Sequence, residues 1–151
     1  MISIAQERPD TEDATALILE LEEHLASLYP QASRHGYSVE KLLAEGVAFF
    51  LLRDDGVPAG CGGVQLFGTQ YGELKRMYVG PAFRGRGFGR LMLDHLAAYV
   101  RSRDVAILRL ETGIHQAEAI GLYERAGFRP IPPFGDYRPD ANSKFYEKRI
   151  G

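Results

Sequence analysis

Apolar residues return every third or fourth position through Leu17, Leu21, Leu25 and Leu28, the spacing that lines one face of a helix, and Asp10 after Pro9 is placed to cap its start. Pro30 closes it. Ser38 predicts the start of a short second helix carrying Leu42 and Leu43, with Gly46 as its stop. Val47 to Leu52 and Val57 to Phe67 read as two strands of a hairpin joined through Asp54-Asp55-Gly56. Gly60, Gly62 and Gly63 inside the second strand predict a bulge or a close backbone approach, the alternative being a plain loop.

From Glu73 the pattern changes to strand, glycine-rich turn, helix: Glu73 to Val79, Gly80 to Gly89, then a stripe of Met92, Leu93, Leu96, Ala97 and Val100. Val105 to Glu111 is apolar enough to lie inside a sheet. Gln116 to Ala126 reads as a further helix with Ile120 and Tyr123 on one side and Gly127 past its end. Pro130, Pro132 and Pro133 predict irregular chain up to about Asn142, followed by an edge-like last strand from Lys144 to Ile150. Helices, an antiparallel hairpin, then strand–helix–strand–helix–strand predict an α/β sandwich around a mixed sheet, a single domain over residues 1–151.

Composition narrows the function classes. With 45% apolar and 25% charged residues the chain suits a globular domain. One cysteine, Cys61, excludes an internal disulfide framework or a cysteine-bound metal cluster and favours the cytoplasm. The N-terminus lacks the basic-then-apolar pattern of a secretion signal, and no apolar run approaches the roughly 20 residues of a membrane span. The spacing of the four histidines suggests no metal site. The net charge of −2 hides a split, with 11 acids and 4 bases in residues 1–56 but 9 acids and 14 bases in residues 57–151. Five of those bases, Lys75, Arg76, Arg84, Arg86 and Arg90, fall within 16 residues that hold no acid. They gather at one helix start rather than along a stripe with stacking aromatics, which argues for one anionic ligand and against nucleic acid. The acids Glu20, Glu22 and Glu23 read as a solvated helix face.

Arg84-Gly85-Arg86-Gly87-Phe88-Gly89-Arg90 is the segment that carries chemistry. A helix N-terminus offers backbone N–H groups to a phosphate, glycines let the ligand approach, and arginines add forked donors. A P-loop needs Gly-Lys-Ser/Thr where this chain has Gly89-Arg90-Leu91. A dinucleotide fingerprint needs a sixth glycine where Arg90 stands, and its acidic partner has only Asp104 or Glu111 to draw on. What remains is the pyrophosphate of coenzyme A, the alternative being a basic helix start that holds no ligand.

Arg84-x-x-Gly87-x-Gly89 resembles the R/Q-x-x-G-x-G/A signature of the GNAT (GCN5-related) N-acetyltransferase superfamily, and Ala119-Ile-Gly-Leu-Tyr-Glu-Arg-Ala-Gly-Phe128 resembles its A-I-x-L-Y-E-x-x-G-F stretch. The close likeness runs from Glu73 to Phe128, about half the chain. It implies a largely antiparallel mixed sheet with a central V-shaped splay, flanked by about four helices. It also implies acetyl-CoA as cofactor, held by Met77, Tyr78, Val79, the loop Arg84, Gly85, Arg86, Gly87, Phe88, Gly89 and Arg90, and by Thr112, Gln116 and Tyr123. At position 116 many members carry asparagine.

Acetylating an amine requires a base, because a lysine-like ammonium with a pKa of about 10.4 has no lone pair at neutral pH. Glu73, opening the strand beside the acetyl site, is the leading candidate; its structural alternative is an ion pair with Lys75 or Arg76. Glu111 and then His115 are rivals. Backbone amides of Met77 to Val79 would receive the oxyanion. Tyr123 falls where the superfamily places its proton-donating tyrosine, the alternative being a core aromatic. The acceptor site implied by the resemblance draws on Arg34, His35, Tyr37, Glu111, Phe134, Asp136, Tyr137 and Arg138. Arginine and tyrosine there suit a small amine that bears a carboxylate, such as an amino acid. A protein N-terminal or lysine acetyltransferase is the runner-up, and a non-catalytic acyl-CoA-binding module the reading from another class. A homodimer through Phe67 to Tyr71 or the last strand is compatible with the sequence.

Overall fold

A computed structural model describes residues 1–30 and 38–151. Arg34, His35 and Tyr37 lie outside the described residues. The order is β1 (Ile2–Gln6), α1 (Glu12–Leu28), α2 (Val39–Ala44), β2 (Ala48–Asp54), β3 (Val57–Phe67), β4 (Tyr71–Val79), α3 (Phe88–Ser102), β5 (Ile107–Gly113), α4 (Ala117–Arg125), β6 (Arg129–Ile131) and β7 (Ser143–Arg149). One seven-stranded sheet runs β1-β2-β3-β4-β5-β7-β6, with β4 and β5 parallel and every other pair antiparallel.

The sheet is covered on both faces, which explains the unbroken apolar run of β2. Phe49 and Leu51 pack with Leu17, Ile18 and Leu21 of α1 and Leu42 of α2. Phe50 and Leu52 point the other way, into a core with Met92, Leu96 and Val100 of α3 and Tyr123 of α4. A third, aromatic cluster of Tyr71, Phe134 and Phe145 sits beside the start of β4.

Four local expectations are corrected. Asp10 is held by Arg8 at 2.8 and 3.0 Å, and Thr11 caps α1 instead, accepting the Ala14 amide at 3.2 Å. Residues 2–6, given no element by the sequence, pair with β2 and extend the sheet. The proline-rich stretch is not wholly irregular: β6 forms across Pro130 and pairs with β7, because an edge strand leaves one side without ladder bonds to lose. The last strand is consequently no edge. It lies between β5 and β6, with Tyr146 only 1% exposed.

Two irregularities meet in β4. Cys61 faces Tyr78 and Gly63 faces Lys75, so one β3 residue, Gly62, opposes two in β4, Arg76 and Met77. This is a bulge, and Arg76 takes a φ of +55° to make it. A Cβ on Gly62 would lie 2.8 Å from the Met77 sulfur, so the glycine makes room for the displaced strand. On its other side β4 pairs with β5 only at Gly72–Leu108 and Glu73–Arg109. Beyond those two pairs the strands part, leaving Leu74 to Val79 without a β5 partner.

Candidate active site

The glycine-rich loop ends in the start of α3, whose N-cap is Gly87 at φ +80° with no side-chain cap. Nothing lies within 4 Å of a Cβ built on Gly85 or Gly87, so both glycines are required by their positive φ, not by crowding. The first helical amides therefore face an acceptor that no side chain supplies, a site that suits phosphate. Gly89 is different: its missing side chain makes room for Leu122 of α4, 3.0 Å from where a Cβ would stand. Phe88 is buried and anchors the helix start in the core.

The three loop arginines do not converge in this structure. Arg84 donates to the Val79 carbonyl at 3.0 Å and lies over the Tyr78 ring, tying the loop to the end of β4. Arg86 pairs with Asp54 at 2.7 Å and covers Phe88. Arg90 pairs with Asp94 one turn on. All three side chains are nonetheless exposed at the loop.

Glu73 occupies the last position of β4 that pairs with β5 and is 3% exposed. Its Oε2 accepts from Lys75 Nζ at 2.9 Å and from the Tyr137 hydroxyl at 2.5 Å, while Oε1 takes no hydrogen bond among the described residues. The pairing with Lys75 is the structural role weighed from the sequence. It leaves one carboxylate oxygen unclaimed. Tyr137 comes from the connection between β6 and β7, held by ring contacts of 5.3 Å each to Phe134 and Phe145. Phe134 is buried in that cluster, and Arg138 and Asp136 beside it are exposed.

Tyr123 approaches from the α4 side, buried and edge-on to Phe128. Burial, with the nearby Glu111 carboxylate adding to it, pushes its hydroxyl well above the ordinary tyrosine pKa. No hydrogen bond to that hydroxyl forms among the described residues. Glu111 stands two positions past the last β5 residue that pairs with β4, opposite Phe145 of β7, and accepts from Ser143 at 2.8 Å. Met77 faces α3 and Tyr78 the α1 side, each at the edge of its core cluster, with Val79 ending the strand. Gln116 turns inward: its Oε1 accepts the Gly113 amide at 3.0 Å and the Thr112 hydroxyl at 3.3 Å, stapling the β5–α4 turn.

One participant carried no sequence signal strong enough to name it. Tyr29, at the end of α1, lies over Gly113, and its hydroxyl accepts the His115 amide at 2.9 Å while its ring stacks on that histidine. The sequence offers Lys75 as one of two ion-pair partners for Glu73, and it is the one that pairs. Its place beside Glu73 follows from strand alternation, which puts Tyr71, Glu73 and Lys75 on the face opposite Gly72 and Leu74. Among the described residues no group of His, Cys, Asp and Glu is arranged to hold a metal, and no helix is long and apolar enough to cross a membrane.

Comparison with known proteins agrees with this geometry. The model of the Acetyltransferase (GNAT) family matches residues 14–128. Over 151 residues the chain is 39% identical to a protein of Azospirillum brasilense named IAA acetyltransferase, covering 99% of this chain and 98% of that one. A Klebsiella pneumoniae structure assigned as an acyl-CoA N-acyltransferase superposes with a TM-score of 0.86 at 35% identity, covering 100% of this chain and 99% of that one. The PaiA N-acetyltransferase of Thermoplasma acidophilum, solved with coenzyme A, shares the fold at a TM-score of 0.74 and 21% identity, covering 97% of this chain and 99% of that one.

Proposed function

The chain belongs to the GNAT acetyltransferase family, an acetyl-CoA-dependent acyltransferase, and from that premise we propose that its acceptor is the primary amine of a small molecule, an amino acid or a relative bearing its own carboxylate. The observation that carries this reading is the arrangement at the β4–β5 splay. Glu73 stands at the last paired position with one oxygen unclaimed, and Tyr123 approaches from the α4 side, with its hydroxyl unbonded among the described residues.

Bound acetyl-CoA supplies the thioester carbonyl and a thiolate leaving group. The uncapped amides of α3 and the heads of Arg84 and Arg86 hold its pyrophosphate. Amides of Met77 to Val79, on the stretch of β4 that lacks a β5 partner, donate to the pantetheine arm and to the carbonyl oxygen. Glu73 Oε1 takes the proton from the acceptor ammonium, so the amine reaches the carbonyl with its lone pair. Tyr123, kept protonated by its burial, would give its hydroxyl proton to the leaving sulfur, and the second proton shed by the acylated nitrogen as the amide forms would restore the hydroxyl. In this reading Arg138, exposed and next in sequence to Tyr137, supplies a guanidinium for the acceptor carboxylate.

A coenzyme A release screen over amino acids, polyamines, aminoglycosides, peptides and IAA tests the acceptor class. Turnover confined to amino acids and related carboxylates is the expected result; turnover on peptides alone points to protein acetylation, and binding without thiol release to a non-catalytic module. Titration calorimetry with acetyl-CoA tests the loop, where Arg84→Ala and Gly87→Glu are expected to bind more weakly than the parent.

A further inference from the structure

Resting on the assignment of Glu73 as base, we infer that Tyr137 is a positioning residue for that base and not a contact to the acceptor. Its hydroxyl donates to Glu73 Oε2 at 2.5 Å, the same oxygen that Lys75 holds at 2.9 Å. Two donors on one oxygen fix the carboxylate plane and leave Oε1 as the atom that faces the acceptor. The pair is dry, with Glu73 at 3% and Lys75 at 7% exposure, so water does not replace a missing donor freely.

The hydroxyl is aimed by packing distant in sequence. Tyr137 packs edge-on against Phe134 and Phe145, Phe134 is edge-on to Tyr71 at 5.6 Å, and Tyr71 lies two residues before Glu73 on the same face of β4. Lys75 Nζ lies 5.8 Å from the Tyr137 ring centre, which adds a cation–π contact to the same triad. The β6–β7 connection thus reaches across the splay and sets which oxygen of the base is available.

The test is Tyr137→Phe, which removes one oxygen and keeps every ring contact. With the amine of the screen that releases coenzyme A fastest, kcat is expected to fall about tenfold, the worth of one hydrogen bond to a charged group, with the amine KM within about twofold and acetyl-CoA affinity unchanged. Tyr137→Phe added to Glu73→Gln is expected to cost nothing more, because the hydroxyl acts only through the carboxylate. A raised KM at parental kcat, or additive losses in the double variant, overturns the positioning role. Glu73→Gln at the parental rate overturns the base assignment and this inference with it. A slow Glu73→Gln beside a parental Tyr137→Phe overturns only the inference.

Discussion

Tyr29 fills the space that a side chain on Gly113 would occupy: a Cβ built there overlaps the tyrosine hydroxyl. This contact seats the end of α1 on the end of β5, beside the splay, and the hydroxyl secures it by accepting the His115 amide. Gly113→Ala is expected to expel the ring and cost about 1–3 kcal/mol, as overpacking a filled site does. For a chain of this size that corresponds to a fall in melting temperature of roughly 2–4 °C per kcal/mol. Tyr29→Phe keeps the packing and loses one hydrogen bond, so its loss is smaller. Thermal unfolding of the two variants side by side checks the order.

Cys61 is fully buried, with its thiol against the Arg76 carbonyl at 3.3 Å, and burial pushes its pKa up to about 12. It should resist iodoacetamide at pH 8 and react once urea unfolds the chain. The linkage has a definite sign. An unfolded-chain thiol ionises near 9, so between 9 and about 12 the unfolded state binds fewer protons than the folded one and stability falls as pH rises. Cys61→Ala lacks that loss. The gap between parent and variant should narrow by up to about 1.4 kcal/mol per pH unit above 9, measured by urea unfolding at pH 8 and pH 10.

Tyr123 is kept protonated by burial and by Glu111. As proton donor it therefore stays loaded throughout the neutral range, and its ionisation should not limit kcat at any pH up to about 10. Tyr123→Phe is expected to lower kcat by roughly 10²-fold or more, within the range for a positioned acid, with acetyl-CoA affinity near parental. Steady-state kinetics from pH 7 to 10, with calorimetry on the same variant, measures both. Equal kcat in parent and variant would leave the ring as core packing.

The elements that repeat a pattern over several turns or pairs were legible in the sequence, and those fixed by a distant partner were not. The stripe from Met92 to Val100 and the two strand-like runs either side of the Asp54-Asp55-Gly56 turn are local, and they predict α3 and the β2–β3 hairpin directly. Residues 2–6 become a strand only because β2 offers an edge, and Pro130 sits in one because the far side of β6 is bare. The β3 glycines pointed to an irregularity, and β3 carries one, with Ala59 as the extra residue against β2 beside Gly60; the second extra residue lies in β4, where Arg76 takes the positive φ that no sequence rule would assign to an arginine. In the candidate site, local order singled out the loop glycines and Glu73, and the resemblance singled out Tyr123. The contact from Tyr137 to Glu73 spans 64 residues and rests on an aromatic cluster assembled from β4, β7 and their connection.

The bulge gives the last expectation. Gly62 faces the doubled residues of β4, and a Cβ there would meet the Met77 sulfur at 2.8 Å and Met92 and Leu96 at 3.1 Å. These are side-chain atoms on a methionine-rich surface, so Gly62→Ala should fold, at a cost of about 1–2 kcal/mol, by displacing Met77. Because the Met77 to Val79 amides are the proposed donors to the pantetheine arm, acetyl-CoA affinity should fall by more than the loss of stability alone accounts for. Gly60→Ala serves as the control. There the Cβ meets the Tyr78 carbonyl at 2.8 Å, a backbone atom that moves only if the β3–β4 ladder yields, so its main effect should be on folding. Calorimetry at a temperature where each variant is fully folded separates the two effects. Unchanged affinity in Gly62→Ala would show that the bulge shapes the sheet without presenting those amides to the cofactor.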